Sequence, residues 1–381
     1  MKKETDSKIR YKMKKIVYLG LILFFAFILL YMQYVFAYFN SNKESNKFIN
    51  EEVARQLNKT PNDLTSKDYQ RIEELHLTGY RITNLNLVKK CRNLQEISLW
   101  YTRTAVLKPL EKLSKLKILI IYFVGSSNEP SKIMKKLRSL LRLPEQKSTE
   151  KIISLSPLKK LVNLEKLIIR KMNINNIKVL SGLKNLKELE ITGIDISDIT
   201  PLSGLTSLKV LKIEGNRHIT DFDPLKKLVN LEALYITSVP ISDANFFTDF
   251  TNLKSLTLYN KYIKDISPLH KLPNLRTLSL RQLPIRDPSQ FTKFTNLESL
   301  SLESMQISDI SPLVELQNLR TLALVDLKVN DISPLADLKN LKHLNFWQQS
   351  MDNEQISELK KALPNLEIIL QPVHKEMDSI F

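Results

Sequence analysis

One motif returns along this chain with a fixed period of 22 residues. Residues 309–324 read DISPLVELQNLRTLAL and residues 331–346 read DISPLADLKNLKHLNF. A fixed period of this length indicates a solenoid, in which each unit buries its apolar face only against its neighbours. An L-x-x-L-x-L pattern, in which isoleucine or, once, phenylalanine can replace a leucine, starts at Ile72, Leu94, Leu116, Leu164, Leu186, Leu208, Leu231, Leu253, Leu275, Leu297, Leu319 and Leu341.

Each unit predicts a short strand followed by a helical return. Leu319, Leu322 and Leu324 place apolar side chains on one side of a strand, and stacked units pair such strands into a parallel sheet. In the return, Ser333 is predicted to cap a helical turn that has Pro334 at its first position. An aspartate column precedes these turns, and turn capping explains it better than a metal ladder does. Its members are Asp198, Asp243, Asp265, Asp287, Asp309 and Asp331.

The repeats from about Ile72 to Leu370 resemble the 22-residue leucine-rich repeats of bacterial internalins. Residues 48–65 resemble the helical N-terminal cap of that family, and Thr65 and Asp68 have the spacing of a capping box. The resemblance implies an α/β solenoid: a curved horseshoe with a parallel concave β-sheet and short convex helical turns, used as a protein-binding surface.

One position departs from the internalin pattern. The family usually has asparagine eight residues after the first leucine, and Asn216 keeps this rule. Apolar side chains take its place in most other repeats, so we expect apolar packing to hold the turn there. These side chains are Met172, Ile194, Val239, Leu283, Met305 and Leu327.

The N-terminal segment is predicted to cross a membrane. Residues 16–39 contain no charged side chain, and a helix of this length would span roughly 36 Å, more than a bilayer core needs. Residues 1–15 are basic and should stay in the cytoplasm, which places the repeats outside. The segment is either an uncleaved signal-anchor or a signal peptide cleaved near Ala37, after which the protein would be secreted.

The remaining boundaries follow from the repeats. Residues 40–71 are predicted to hold a linker and the helical cap, residues 72–370 the solenoid, and residues 371–381 a tail. An insertion at about residues 122–149 interrupts the repeats. Its residues 131–143 predict an amphipathic helix, which either packs on the flank of the solenoid or contacts a partner or anionic lipid headgroups.

Residues between the leucines should lie on the exposed face of the sheet, where they are free to contact a partner. Aromatic residues concentrate near the N-terminal end, and such patches are common in interfaces unless another element covers them; here the insertion could do so. The candidate partner-binding residues are Trp100, Tyr101, Tyr122, Phe123, Arg170, Tyr235, Tyr259, Arg281 and Trp347.

Enzymatic, metal-binding and nucleic-acid-binding functions are not favoured. Glu188 and Glu190 share a face, but neighbouring lysines should neutralise them. The five histidines have no metal-ligand spacing, and Cys91, the single cysteine, occupies a core position. The net charge of +17 is spread along the chain rather than gathered in a basic patch. We therefore predict no cofactor, no metal and no nucleic acid partner.

Two hypotheses for function follow. The first is a non-enzymatic protein-binding module displayed outside the cytoplasmic membrane, which binds a protein partner on the concave face of the repeats. The second is a membrane-tethered scaffold or regulator of the cell's own envelope proteins, and the lack of a wall-anchoring motif after the repeats favours it.

Overall fold

The computed structural model of the chain describes residues 42–79, 81–102, 106–123, 152–347 and 352–370. The predicted membrane segment at residues 16–39, the tail, and the insertion beyond Phe123 lie outside these residues. No helix within the described ranges is long and apolar enough to cross a membrane.

The described residues form one open parallel sheet of 13 strands in sequence order. Each strand contributes alternate side chains to a continuous leucine and isoleucine core, so the predicted strand pattern is confirmed. The predicted horseshoe curvature stays a prediction. The strands are β1 (Glu74–Thr78), β2 (Glu96–Thr102), β3 (Ile118–Phe123), β4 (Lys166–Arg170), β5 (Glu188–Thr192), β6 (Val210–Glu214), β7 (Ala233–Thr237), β8 (Ser255–Tyr259), β9 (Thr277–Arg281), β10 (Ser299–Glu303), β11 (Thr321–Val325), β12 (His343–Trp347) and β13 (Glu367–Leu370).

Helices close the two ends of the described solenoid. Helix α1 covers residues 42–57, and α2 (Ser66–Tyr69) follows it. The Asp68 carboxylate accepts hydrogen bonds from Thr65 N at 2.8 Å and from Thr65 Oγ1 at 2.8 Å, which confirms the predicted capping box. At the other end, α3 (Asn353–Ala362) is capped by Asp352 and precedes β13.

The returns between strands are 3-10 helices of three to six residues. Three to six residues are too few for a stable α-helix, and a 3-10 turn reverses the chain over that length. They are Val88–Lys90, Lys108–Lys112, Ser156–Lys160, Lys178–Gly182, Thr200–Gly204, Asp223–Lys227, Ala244–Asp249, Ser267–Lys271, Pro288–Phe291, Ser311–Glu315 and Ser333–Asp337. A further 3-10 turn, Pro61–Asp63, lies between α1 and α2.

The capping residue of these turns differs from the prediction. Ser333 is the first residue of its turn and not its cap, and it donates its backbone N–H to Asp331 Oδ1 at 2.8 Å. The same bond joins Thr200 N to Asp198 and Ser267 N to Asp265. The aspartates therefore cap the turns, as predicted for that column, because the turn begins two residues after them.

Asparagine side chains fasten most coils to the one before. Asn340 Nδ2 donates to Gln317 O at 2.8 Å, and Asn163 Nδ2 donates to Ser114 O at 2.9 Å. The second bond joins the coils on either side of the insertion, and β3 pairs directly with β4 there. The solenoid is therefore continuous across the insertion. The same bond is made by Asn185, Asn230, Asn252, Asn274 and Asn318.

Candidate functional site

The exposed face of the sheet carries three parallel rows of side chains. The strands pair in register, so each row crosses the whole sheet at one strand position. The row nearest the strand ends begins with Trp100, Tyr122 and Arg170 and continues to Tyr259, Arg281 and Trp347 at its other end. Tyr235 lies in the middle row.

Three aromatic rings cluster on β2 and β3. The rings of Trp100 and Tyr122 stack with centroids 5.9 Å apart, and Tyr101 meets Tyr122 edge-on at 4.7 Å. Lys171 places its ammonium 5.5 Å from the centre of the Tyr122 ring. We call Trp100, Tyr101 and Tyr122 the aromatic cluster. Such mutual contacts preorganise the rings and reduce the entropy lost when a partner packs on them.

The backbone conformation near the end of β2 explains why Tyr101 belongs to this cluster. Strand alternation would turn Tyr101 inward after Trp100, but its φ of +56° and a register shift between Trp100 and Thr102 turn it outward. Its side chain is 49% exposed, whereas Thr102 is buried. The residue at this position of the repeat takes a positive φ in most described repeats, for example at Lys171 and Gln282, so the regular backbone of the solenoid holds the ring on the surface.

Phe123 was predicted to face a partner, and this prediction is wrong. It follows Tyr122 on β3, and alternation therefore points its ring into the core, where it is 5% exposed. Its role is to fill the interior beneath the aromatic cluster.

Ion pairs neutralise the charges next to the aromatic cluster. Arg170 donates Nε and Nη2 to the two carboxylate oxygens of Glu190 at 2.6 and 2.9 Å. Burial would raise the pKa of Glu190, but the Arg170 hydrogen bonds and the charge of Lys212 hold it below its usual value. Glu188 pairs with Lys166 at 2.6 Å. Both glutamates thus have cationic partners, as the sequence predicted, and Arg170 is oriented towards Glu190.

The other candidate residues lie farther along the sheet. Tyr235 lines a shallow recess of about 260 Å³ together with Ile168 and Val210, beside the charged pairs. Arg281 stacks over the Tyr259 ring at 4.9 Å and its Nε lies 3.2 Å from Glu303. Burial raises the pKa of Glu303 although Arg281 opposes this.

The candidates do not form one site. Six strand spacings of roughly 4.8 Å separate β2 from β8, and ten separate β2 from β12. Trp347 thus lies roughly 48 Å from the aromatic cluster, more than one standard interface covers. Trp100, Tyr101, Tyr122 and Arg170 form one group, Tyr235, Tyr259 and Arg281 lie in the middle, and Trp347 stands apart.

Two further features concern chemistry at single residues. Cys91 is fully buried, and burial raises the pKa of its thiol to about 12, which confirms its position in the core. In the described ranges no group of three histidine, cysteine, aspartate or glutamate side chains could hold a metal ion.

Sequence reasoning missed Asn260. In its repeat the position eight residues after the first leucine is Lys261, which is exposed, while Asn260 just before it is buried. The signal was present in the sequence, because this repeat lacks the apolar residue at that position and has an asparagine one place earlier. The six apolar side chains predicted to hold the turns are buried.

Comparisons with known proteins agree with this architecture. A family profile described as leucine-rich repeats (2 copies) matches residues 184–227 and 251–293. An internalin of Listeria monocytogenes (InlF) is 24% identical over 86% of this chain and 92% of that chain, with a TM-score of 0.53. A leucine-rich-repeat protein of Leptospira interrogans is 21% identical over 80% of this chain and 92% of that one, with a TM-score of 0.52.

A second Listeria monocytogenes internalin (InlC2) is 33% identical over 49% of this chain and 82% of that chain, with a TM-score of 0.45. A search of curated proteins gave no match. The period, the parallel sheet and the repeat profile lead to one conclusion: the chain is a leucine-rich-repeat solenoid, and its fold is similar to that of the internalin InlF.

Proposed function

We propose that this chain is a non-enzymatic protein-binding module whose partner docks on the exposed face of the sheet, centred on the aromatic cluster. The observation that carries the proposal is three mutually packed aromatic rings on a solvated sheet face. The solenoid core does not require them, because it is complete beneath them. Tryptophan and tyrosine provide large contact areas at low entropic cost and dominate binding energy in interfaces.

The surroundings of the cluster support the same proposal. Arg170, Glu190 and Lys212 form a paired polar border next to the rings. A partner that covers the rings would exclude water from this border without leaving an unpaired charge. The leucine-rich-repeat fold itself, with its long open sheet, offers a surface large enough for a folded protein.

The cluster can be tested by double substitution. The partner would be identified by cross-linking to the full-length protein on cells, and then purified for affinity measurements. Trp100→Ala with Tyr122→Ala should weaken binding by about tenfold or more, because truncated anchors cost roughly 2 kcal/mol or more. Ser299→Ala with Thr321→Ala, on β10 and β11 and far from the cluster, should leave affinity unchanged. Unchanged affinity of the Trp100/Tyr122 variant, at unchanged melting temperature, would refute this site.

We also propose that residues 16–39 hold the repeats outside the cytoplasmic membrane. The uninterrupted apolar run after a basic segment supports this topology. A second candidate function, a tethered scaffold for the cell's own envelope proteins, would use the same sheet face. Co-purification would decide between the two candidates, because a scaffold would bring down envelope proteins from the same cell.

A further inference from the structure

A second recess lies at the edge of the sheet where strands β7, β8 and β9 end. It has a volume of about 330 Å³. Tyr259, Tyr262 and Pro240 line it together with Arg217 and Lys261, and Ser238, Val239, Asn260 and Gln282 complete its lining. We call it the rim recess.

The rim recess lies beside a turn that differs from its two neighbours. In the repeats on either side of β8, the residue after the turn is Val239 or Leu283, each almost fully buried. The equivalent residue after β8 is Lys261, which is exposed. The turn after β8 therefore contributes no apolar side chain at this position, and the buried Asn260 amide bonds to the preceding turn instead.

Asn260 lies at the bottom of the rim recess, and both polar atoms of its side chain make hydrogen bonds. Its Nδ2 donates to Val239 O at 3.1 Å and to Ile241 O at 2.8 Å. Its Oδ1 accepts from the N–H groups of Tyr262 and Ile263 at 2.6 and 3.0 Å. Those two N–H groups cannot serve as a backbone nest for a phosphate, since they already donate to this side chain. A ligand must instead bind to the side chains of the walls.

The charged side chains that line the rim recess are all positive. Arg217 and Lys261 line the rim recess, and no acidic side chain of the described residues does. Lys261 lies 5.4 Å from the centre of the Tyr262 ring. The recesses on the opposite edge of the sheet differ, because Lys187 pairs there with Glu165 at 2.6 Å and Lys209 pairs with Glu232 at 2.8 Å.

We infer that the rim recess binds an acidic side chain, a glutamate or aspartate, of the protein partner. Its carboxylate would meet Arg217 and Lys261, and its methylene groups would pack on Pro240 and the tyrosine rings. Carboxylate fits better than phosphate, because one wall is apolar and the backbone amides are engaged. This inference rests on the proposed function, since it specifies one feature of the same partner.

The test uses the full-length chain in lipid nanodiscs and a pair of capped tripeptides, acetyl-Ala-Glu-Ala-amide and acetyl-Ala-Gln-Ala-amide. Surface plasmon resonance should show the glutamate peptide binding about fivefold more tightly than the glutamine peptide, the preference expected of a partly exposed ion pair. Arg217→Gln with Lys261→Gln should abolish this preference. The control, Lys293→Gln with Lys328→Gln, removes the same amount of charge from exposed positions elsewhere. It should leave the preference for the glutamate peptide unchanged.

Equal binding of the two peptides to the unaltered protein would overturn the inference, as would a preference that survives Arg217→Gln with Lys261→Gln. Inorganic phosphate is the competing ligand. If it binds more tightly than the glutamate peptide, and if Arg217→Gln with Lys261→Gln abolishes that binding, the carboxylate assignment is overturned. The peptides need no native partner, so their failure leaves the aromatic cluster untouched, and failure of the Trp100/Tyr122 test leaves the peptide result standing.

Discussion

At the scale of single residues, Asn260 has the most demanding position in the solenoid. Its amide is buried and makes four hydrogen bonds to backbone groups of its own turn and of the preceding coil. Asn216 is the other buried asparagine of the turns, and its Nδ2 donates to Ile191 O and Glu214 O at 3.2 and 3.0 Å. Both replace the apolar packing used by the other turns with hydrogen bonds.

Asn260→Ala should lower the free energy of unfolding by about 1–3 kcal/mol, because two carbonyls and two N–H groups lose their partner in a buried turn. Asn340→Ala is the matched control. Its side chain is exposed and makes one bond to the preceding coil, so we expect a loss below about 1 kcal/mol. Urea denaturation of the full-length variants followed by circular dichroism measures both values. Equal losses in the two variants would show that burial of Asn260 has no special importance.

Phe123, Tyr101 and Asn260 show how far the exposure of a single residue could be predicted from the sequence. Alternation places Phe123 inside, and treating the aromatic run as one patch obscured this. The sequence did carry a signal for Tyr101, because its position, seven residues after the first leucine of the repeat, holds glycine at Gly193 and Gly215 and takes a positive φ in most described repeats. Asn260 was predictable in principle from the missing apolar residue at Lys261.

At the scale of elements, the repeat period predicted the strands and their parallel order, because alternate buried leucines leave one register available. The positions of the helical returns were predictable from the sequence, but their 3-10 geometry was not. Ser333 and Pro334 suit the start of any helical turn, and only the backbone shows that the capping side chain is Asp331. Aspartate in this column therefore has a stabilising role with a measurable pH dependence.

Acid should destabilise the solenoid through these caps. Hydrogen bonds from the Ser333 hydroxyl and backbone N–H lower the pKa of Asp331, and the backbone N–H and hydroxyl of Ser311 do so for Asp309. A carboxyl whose pKa is lower in the folded state contributes stability above its unfolded pKa of about 3.9, and the contribution is lost as the pH falls through the folded value. Melting temperatures measured from pH 6 to pH 2.5 should therefore fall below about pH 4.

Asparagine variants isolate this effect. Asp309→Asn with Asp331→Asn keeps an oxygen that accepts the same backbone N–H but removes the titrating group. The melting temperature of this variant should fall less steeply with acid than that of the unaltered protein. Asp309→Ala with Asp331→Ala should melt at a lower temperature at every pH. Identical acid slopes in the unaltered protein and the asparagine variant would contradict the assignment.

At the scale of the whole molecule, the two edges of the sheet differ in chemistry. The edge where strands begin carries the asparagine bonds and paired charges, and hydrogen bonds from Lys209 and Lys254 lower the pKa of Glu232 there to about 2. The edge where strands end carries the aromatic cluster and the rim recess. A partner that covers the second edge would reach both proposed contacts, which lie roughly 29 Å apart across six strand spacings.

Such a partner can lie outside the cytoplasm only if residues 16–39 hold the repeats outside the membrane, as proposed. Proteinase K added to intact cells should digest the repeats, while an epitope placed ahead of Met1 should stay protected until the cells are lysed. A variant without residues 1–39 provides the control, because its repeats should remain inside and resist digestion. Repeats found in the medium with a new N-terminus near Ala37 would show cleavage instead of anchoring. Repeats that are membrane-bound in intact cells but inaccessible to the protease would contradict display, and the partner of the aromatic cluster should then be sought on the inner side of the envelope.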